Sequence, residues 1–176
     1  MNLPKEILRN FVNIKEIACI VGEEELKTFI ERKYFDKNDD LACITIHTPD
    51  TKGIKDSLLY STFSEFLKIG FWDVAGEVVK SDDLKSIFYG ITNEEAKTIA
   101  QFIIDNVDKQ FVINCSAGIS RSAGVGMAIL AIKNFDGNIY EFNTSYDNPI
   151  KNHWRYKPNL YVFDKIIEEY KKLKGY

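Results

Sequence analysis

The chain has 176 residues, 45% apolar, 28% charged and 13% aromatic, the make-up of one compact domain over 1–176 that can bury a core without disulfides or metal. Its 23 Lys and Arg against 26 Asp and Glu leave a net charge of −3, which offers no basic footprint for nucleic acid. Four Pro, ten Gly and no polar low-complexity tract exclude a disordered or fibrous protein.

No apolar run approaches the ~20 residues that span a bilayer, so no membrane association is expected. The start, Met1 to Glu6, lacks a basic stretch followed by an apolar one, and the end, Lys172 to Tyr176, carries no lipidation box. Cys19, Cys43 and Cys115 are odd in number and scattered, which argues against a disulfide framework and for a cytoplasmic setting. His47 and His153 are the only histidines and no Cys-x-x-Cys pair exists, so neither a metal nor another cofactor is expected.

In chain order, Ile14 to Val21 reads as a strand and Glu23 to Tyr34 as a helix with Leu26, Phe29 and Ile30 on one face. Leu41 to His47 is a second strand, closed by Thr48-Pro49-Asp50, and Glu65 to Trp72 is a third. Residues 74–91 read as a long loop with room for a short helix. Thr92-Asn93-Glu94-Glu95 is a capping box opening a helix that buries Ala96, Ile99, Phe102, Ile103 and Val107. Phe111-Val112-Ile113 is a short apolar strand, followed by a loop and by a helix, Ala123 to Ile132, that is small or apolar on every side. Such a helix is central and buried on most faces. A last helix starts at Pro158-Asn159, turns Val162, Ile166 and Ile167 inward, and ends among Lys171, Lys172 and Lys174. This alternation predicts an α/β domain with a central, mostly parallel sheet flanked by helices.

Chemistry concentrates in Asn114-Cys115-Ser116-Ala117-Gly118-Ile119-Ser120-Arg121-Ser122, where a strand enters a tight loop and the loop enters the buried helix. Amides of such a loop converge near a helix N-terminus, a ready site for an anion. Gly118 permits the positive φ that turns successive N–H groups to one centre. Arg121 adds a planar fork matched to two phosphate oxygens. Cys115 lies at the floor of that concavity, where the amides and the Ser122 hydroxyl would favour its thiolate, the nucleophilic form.

This segment resembles the phosphate loop of cysteine-based protein tyrosine phosphatases, C-x5-R-[ST], with Gly118 to Ser122 most similar to the dual-specificity branch. Phe71-Trp72-Asp73 stands where that family ends a strand and places its general acid, and Pro158-Asn159 resembles the pair that opens its last helix. The resemblance runs from about Ile14 to Tyr170. It implies a dual-specificity phosphatase-like fold and a metal-free phosphomonoester hydrolase working through a phosphocysteine. Cys115 would be the nucleophile, Asp73 the general acid, and Ser122 the hydrogen-bond donor to the leaving sulfur. Ser116, Ala117, Gly118, Ile119, Ser120 and Arg121 would bind phosphate. The implied substrate is a phosphotyrosine protein or aryl phosphate, with phosphoserine and phosphothreonine as further candidates. Ala117 and Ile119 stand where lipid-phosphatase relatives carry basic residues, which ranks inositol phosphates lower.

The residue before the nucleophile is usually His in that family and is Asn114 here; it can hydrogen-bond the loop backbone but supplies no charge. Two other readings stay open: a rhodanese-like sulfurtransferase, and a module that binds phosphate without turning it over. Asp82 and Asp83 compete with Asp73 for the role of acid. Cys19 and Cys43 read as inert core thiols, His47 and His153 as structural residues, and Asn152 to Lys157 as a solvated loop.

Overall fold

The computed structural model describes residues 4–37, 40–80, 86–145 and 147–176. Its first half runs α1 (Lys5–Leu8), β1 (Ile17–Gly22), α2 (Glu23–Glu31), β2 (Leu41–His47), α3 (Asp56–Thr62) and β3 (Glu65–Gly70). There follow β4 (Val78–Lys80), β5 (Ile87–Tyr89), α4 (Asn93–Asp105), β6 (Gln110–Cys115), α5 (Arg121–Phe135), α6 (Ile139–Ser145) and α7 (Leu160–Lys174).

Four strands form a parallel sheet in the order β1-β6-β2-β3. Because all four run the same way, their C-terminal ends share one edge. The register places Gly22 beside Cys115, Asn114 beside Thr45, and His47 beside Gly70. In an open α/β sheet that edge is where ligands bind.

Every residue of β1 is buried, as are Phe111 to Cys115 of β6 and Leu41 to Ile46 of β2. Continuous burial is what a parallel strand covered on both faces produces, and it explains the unbroken apolar runs. Ile20, Ile44, Ile113 and Cys115 join the core made with α4, α5 and α7. Cys19, Val21, Cys43 and Val112 join the opposite core, with Leu26, Phe29 and Ile30 of α2 and Leu59 of α3. The period-two alternation fails once, at Ala18 and Cys19, which share a core because the β1–β6 register shifts between Ile17 and Cys19.

α5 is buried from Arg121 through Ile132. It lies between the sheet and α7, as its lack of a polar face requires. A Cβ on Gly124 would stand 2.5 Å from the Asn159 carbonyl oxygen, so glycine is what lets the starts of α5 and α7 approach.

The sheet, the Thr92 cap and the last helix match the expectations from sequence, with strand and helix ends moved by a few residues. Among the described residues of 74–91, two short strands stand where a long loop with room for a short helix is expected. Val78–Lys80 and Ile87–Tyr89 pair antiparallel, and the hairpin base is held by Trp72 N–H donating to the Tyr89 carbonyl at 3.3 Å and by an edge-on Trp72–Phe88 contact at 5.1 Å. Short β-branched and aromatic runs find a partner in each other that neither period nor spacing discloses. α1, α3 and α6 are likewise beyond what the sequence pattern announces; the longest has seven residues, too short for a clear apolar stripe.

Candidate active site

The loop leaves β6 at Cys115 and enters α5 at Arg121, and its carbonyls are held from outside. The Ser116 carbonyl accepts from Glu23 N–H at 3.1 Å, that of Ile119 from Lys157 N–H at 3.1 Å, and that of Ser120 from Asn159 N–H at 3.2 Å. In a trans peptide the N–H of the next residue points opposite to the carbonyl. Pinning these three carbonyls outward therefore turns the N–H groups of Ala117, Ser120 and Arg121 inward, toward the concave side. Among the described residues none accepts a hydrogen bond from those three N–H groups.

Gly118 completes the turn at φ +68°, and a Cβ there would sit 2.2 Å from the Val21 carbonyl carbon. No side chain satisfies both the angle and the space.

Inside the loop, Cys115 is buried with its Sγ 3.2 Å from the Ser122 Oγ, itself fully buried. The Arg121 side chain is only 3% exposed. It donates through Nη1 to the Phe71 carbonyl at 2.7 Å and through Nη2 to Ser116 Oγ at 3.0 Å, while its buried Nε has no partner among the described residues. Among the described residues no carboxylate pairs with this guanidinium. A buried cation without a counter-ion is costly, and an anion in the loop removes that cost. Asn114 is buried at the end of β6, and its Oδ1 accepts no hydrogen bond from the described residues.

Asp73 stands at the rim. Its Oδ1 accepts from Ser120 Oγ at 2.8 Å and from Asn159 Nδ2 at 2.9 Å, and the same Nδ2 donates to the Val74 carbonyl at 3.1 Å. The structure thus brings Asp73 to the loop that holds Cys115 and Arg121. Asp82 and Asp83 lie outside the described residues. The part of Asn159 in holding Asp73 goes beyond the sequence reading; the available signal is an asparagine at a helix start, since an amide can cap with its oxygen and still donate with its nitrogen.

Asn152 to Lys157 is not merely a solvated loop. Trp154 is 78% exposed, but Arg155 donates to Glu25 at 2.5 Å and lies 4.6 Å over the Phe11 ring. Glu25 also accepts from Gly22 N–H at 2.7 Å, directly behind the loop. The Tyr156 hydroxyl accepts from Val12 N–H and donates to the Ile20 carbonyl, each at 3.1 Å, and burial pushes its ionisation up to about 12. An alternation of charged and aromatic residues conceals such inward-facing partners.

Cys19 and Cys43 are buried, and desolvation raises both thiols well above the ordinary range. His47 covers Gly70, with its Nδ1 3.0 Å from the Thr48 carbonyl, and His153 stacks on Trp154 with its ionisation lowered, first by burial and then by Arg155. Among the described residues no group of three or more His, Cys, Asp or Glu is placed to hold a metal ion, and no helix is long and apolar enough to cross a membrane.

No protein-family model and no curated protein sequence matches the chain significantly. Solved structures do match it. The human tyrosine phosphatase-like serine/threonine/tyrosine-interacting protein aligns with 97% of this chain and 96% of its own, at a TM-score of 0.52 and 15% identity. The Yvh1 phosphatase domain from Chaetomium thermophilum aligns over 94% and 96%, at 0.51 and 14% identity. PTPMT1 in complex with PI(5)P aligns over 85% and 87%, at 0.50 and 18% identity. The chain has the fold of the dual-specificity-like, cysteine-based phosphatases.

Proposed function

We propose that this chain is a metal-free phosphomonoester hydrolase acting on phosphotyrosine proteins and other aryl phosphates. The observation that carries the reading is Arg121, a buried guanidinium without a carboxylate partner, set with inward-turned amides around the Cys115 thiol. A phosphate dianion supplies the missing counter-charge and accepts from those donors. In phosphoryl transfer, most of the rate acceleration comes from donors fixed in place before the reaction begins.

In the first step Cys115 sulfur attacks phosphorus in line, an S–P bond forms and the P–O bond breaks. Asp73 passes its proton to the departing oxygen, so the phenol leaves neutral. In the second step the Asp73 carboxylate takes a proton from water as its oxygen attacks phosphorus. Sulfur then leaves as thiolate, accepting the hydrogen bond of Ser122, and inorganic phosphate is released. Ser116 to Arg121 hold the equatorial oxygens throughout.

Phosphotyrosine comes first because a phenol is the better leaving group, and phosphoserine and phosphothreonine follow. One of the structural neighbours holds PI(5)P. The rim here carries Ala117 and Ile119, with Asp73 beside them, where lipid-phosphatase relatives carry basic residues at the first two positions. The free thiols Cys19, Cys43 and Cys115 suit a reducing, cytoplasmic setting.

Nitrophenyl phosphate turnover by the wild type, abolished in Cys115→Ser while vanadate still binds, is the expected result. Activity of Cys115→Ser above a small percentage removes the covalent route. No turnover by the wild type leaves a phosphate-binding module, and cyanide-dependent consumption of thiosulfate replaces the reading with sulfur transfer.

A further inference from the structure

A groove of about 640 Å³ opens beside the Cys115 loop, between the Asp73 segment and the first turns of α7. Its wall includes Asp73, Ala75, Ser120, Leu160, Tyr161 and Asp164. Ser120 and Asp73 belong to both the groove and the rim of the loop, so the two spaces are continuous.

Among the described residues the wall contains two carboxylates and no Lys or Arg. Oδ1 of Asp73 is already held by Ser120 and Asn159. Asp164 makes no ion pair among the described residues. The adjacent Lys165 is taken up by Asn93 at 3.0 Å and by Glu168 at 3.7 Å, with its ammonium 5.7 Å from the Tyr161 ring centre. Partial burial pushes the Asp164 carboxyl upward, and the negative potential of Glu168 adds to it, the direction expected of a carboxylate lacking a counter-charge. Leu160 lies one helical turn before Asp164 on the same face of α7 and is 52% exposed. An apolar surface ending in an unpaired carboxylate matches a long side chain with an aliphatic stem and a cationic tip.

We propose that this groove receives a lysine or arginine flanking the phosphorylated residue of a peptide substrate, with Leu160 against the stem and Asp164 against the cation. The proposal rests on the phosphatase reading for what occupies the loop and adds the chemistry of what lies beside it. An acidic neighbour would meet Asp73 and Asp164 with like charge, as would the further phosphates of an inositol headgroup.

The test is a set of phosphotyrosine peptides that differ only in carrying Lys, Ala or Glu at each flanking position. They are assayed at low salt with the wild type, Asp164→Asn and Asp164→Lys, with nitrophenyl phosphate as reference. At one or more positions the wild type should favour Lys over Glu in kcat/KM by about fivefold, the scale of one solvent-exposed ion pair. The preference should shrink in 0.5 M salt (about a 4 Å screening length). Asp164→Asn should reduce it to within about twofold, and Asp164→Lys should invert it, while nitrophenyl phosphate turnover stays unchanged. Equal preference in all three proteins, or none in the wild type, overturns the groove assignment and leaves the phosphatase reading intact. The same peptides titrated onto Cys115→Ser give the ranking as affinity. A Lys ranking that persists there while the wild type turns over no aryl phosphate overturns the phosphatase reading alone.

Discussion

α5 and α7 are both 15-residue helices, and their first turns touch: Asn159 N–H donates to the Ser120 carbonyl at 3.2 Å. Their starts are built differently. At α7 the Asn159 Oδ1 caps its own helix, accepting from Val162 N–H at 3.2 Å. At α5 Ser120 provides no side-chain cap, since its hydroxyl donates to Asp73 instead. One N-terminus is closed by its own sequence and the other is left with unpaired donors above a thiol and a buried guanidinium. Both cap residues send a donor to the same oxygen of Asp73. The comparison teaches that the proposed anion site is the helix start whose cap is diverted, and that Asp73, the proposed acid, is held by the diversion.

The largest effects fall on the open start. Arg121→Lys keeps the charge but loses the fork that reaches Phe71 and Ser116, and should lower kcat/KM for aryl phosphates by about 10²–10³-fold, the scale of losing an oxyanion donor. Arg121→Lys within about threefold of wild type would mean that charge alone, with no directed donors, defines the site. Asp73→Asn comes next. General acids contribute about 10²–10⁴-fold, most for poor leaving groups, so phenyl phosphate should slow far more than the nitrophenyl ester. Equal slowing of both would assign the acid elsewhere, and the same pair of assays on Asp82→Asn and Asp83→Asn would locate it.

The open helix start is readable in the sequence because its signals are local. Gly118 forces the turn, Arg121 and Ser122 follow at fixed offsets, and the absence of a polar face on the next helix buries it. The β2 strand and the Thr92 cap are readable for the same reason, a short-range pattern with one physical solution. The diversion of Ser120 is not, because it depends on Asp73 arriving from 47 residues away. The Arg155–Glu25 pair is hidden likewise, because it joins segments 130 residues apart that only the assembled fold brings together. The local β4–β5 pairing is hidden because its strands have three residues each, too few to show a period. Spacing reveals what a backbone does within a turn or two, whereas a carboxylate's partners are set by topology.

Two substitutions separate holding from capping. Ser120→Ala removes one donor to Asp73 and leaves α7 untouched. Asn159→Ser keeps a good helix cap but removes the amide that reaches Asp73 and the Val74 carbonyl. A hydrogen bond to a charged group is worth about 1.5–3 kcal/mol, so each should slow phenyl phosphate by about 10–10²-fold and nitrophenyl phosphate by no more than about twofold. A fall of equal size for both esters would mean that the loop itself has moved, and the shared hold on Asp73 would lose its support.

The smallest effect belongs to a third helix start, which carries no chemistry. Thr92 caps α4 by accepting from Glu95 N–H at 3.2 Å, and Glu95 returns to Thr92 N–H at 2.8 Å. The box is complete and solvent-facing, and it lies outside the Cys115 loop and its rim, so its loss should be felt as stability alone. Thr92→Ala should cost about 1 kcal/mol, seen as a lower urea midpoint with an unchanged slope, while aryl phosphate turnover per folded molecule stays at the wild-type value. The contrast with Ser120→Ala is what gives the measurement its force. Both remove a hydroxyl from the residue that opens a helix, one from a completed cap and one from a diverted one. If Thr92→Ala also lowers turnover selectively for phenyl phosphate, the packing of α4 on α7 transmits to Asp73, and the two starts are not independent.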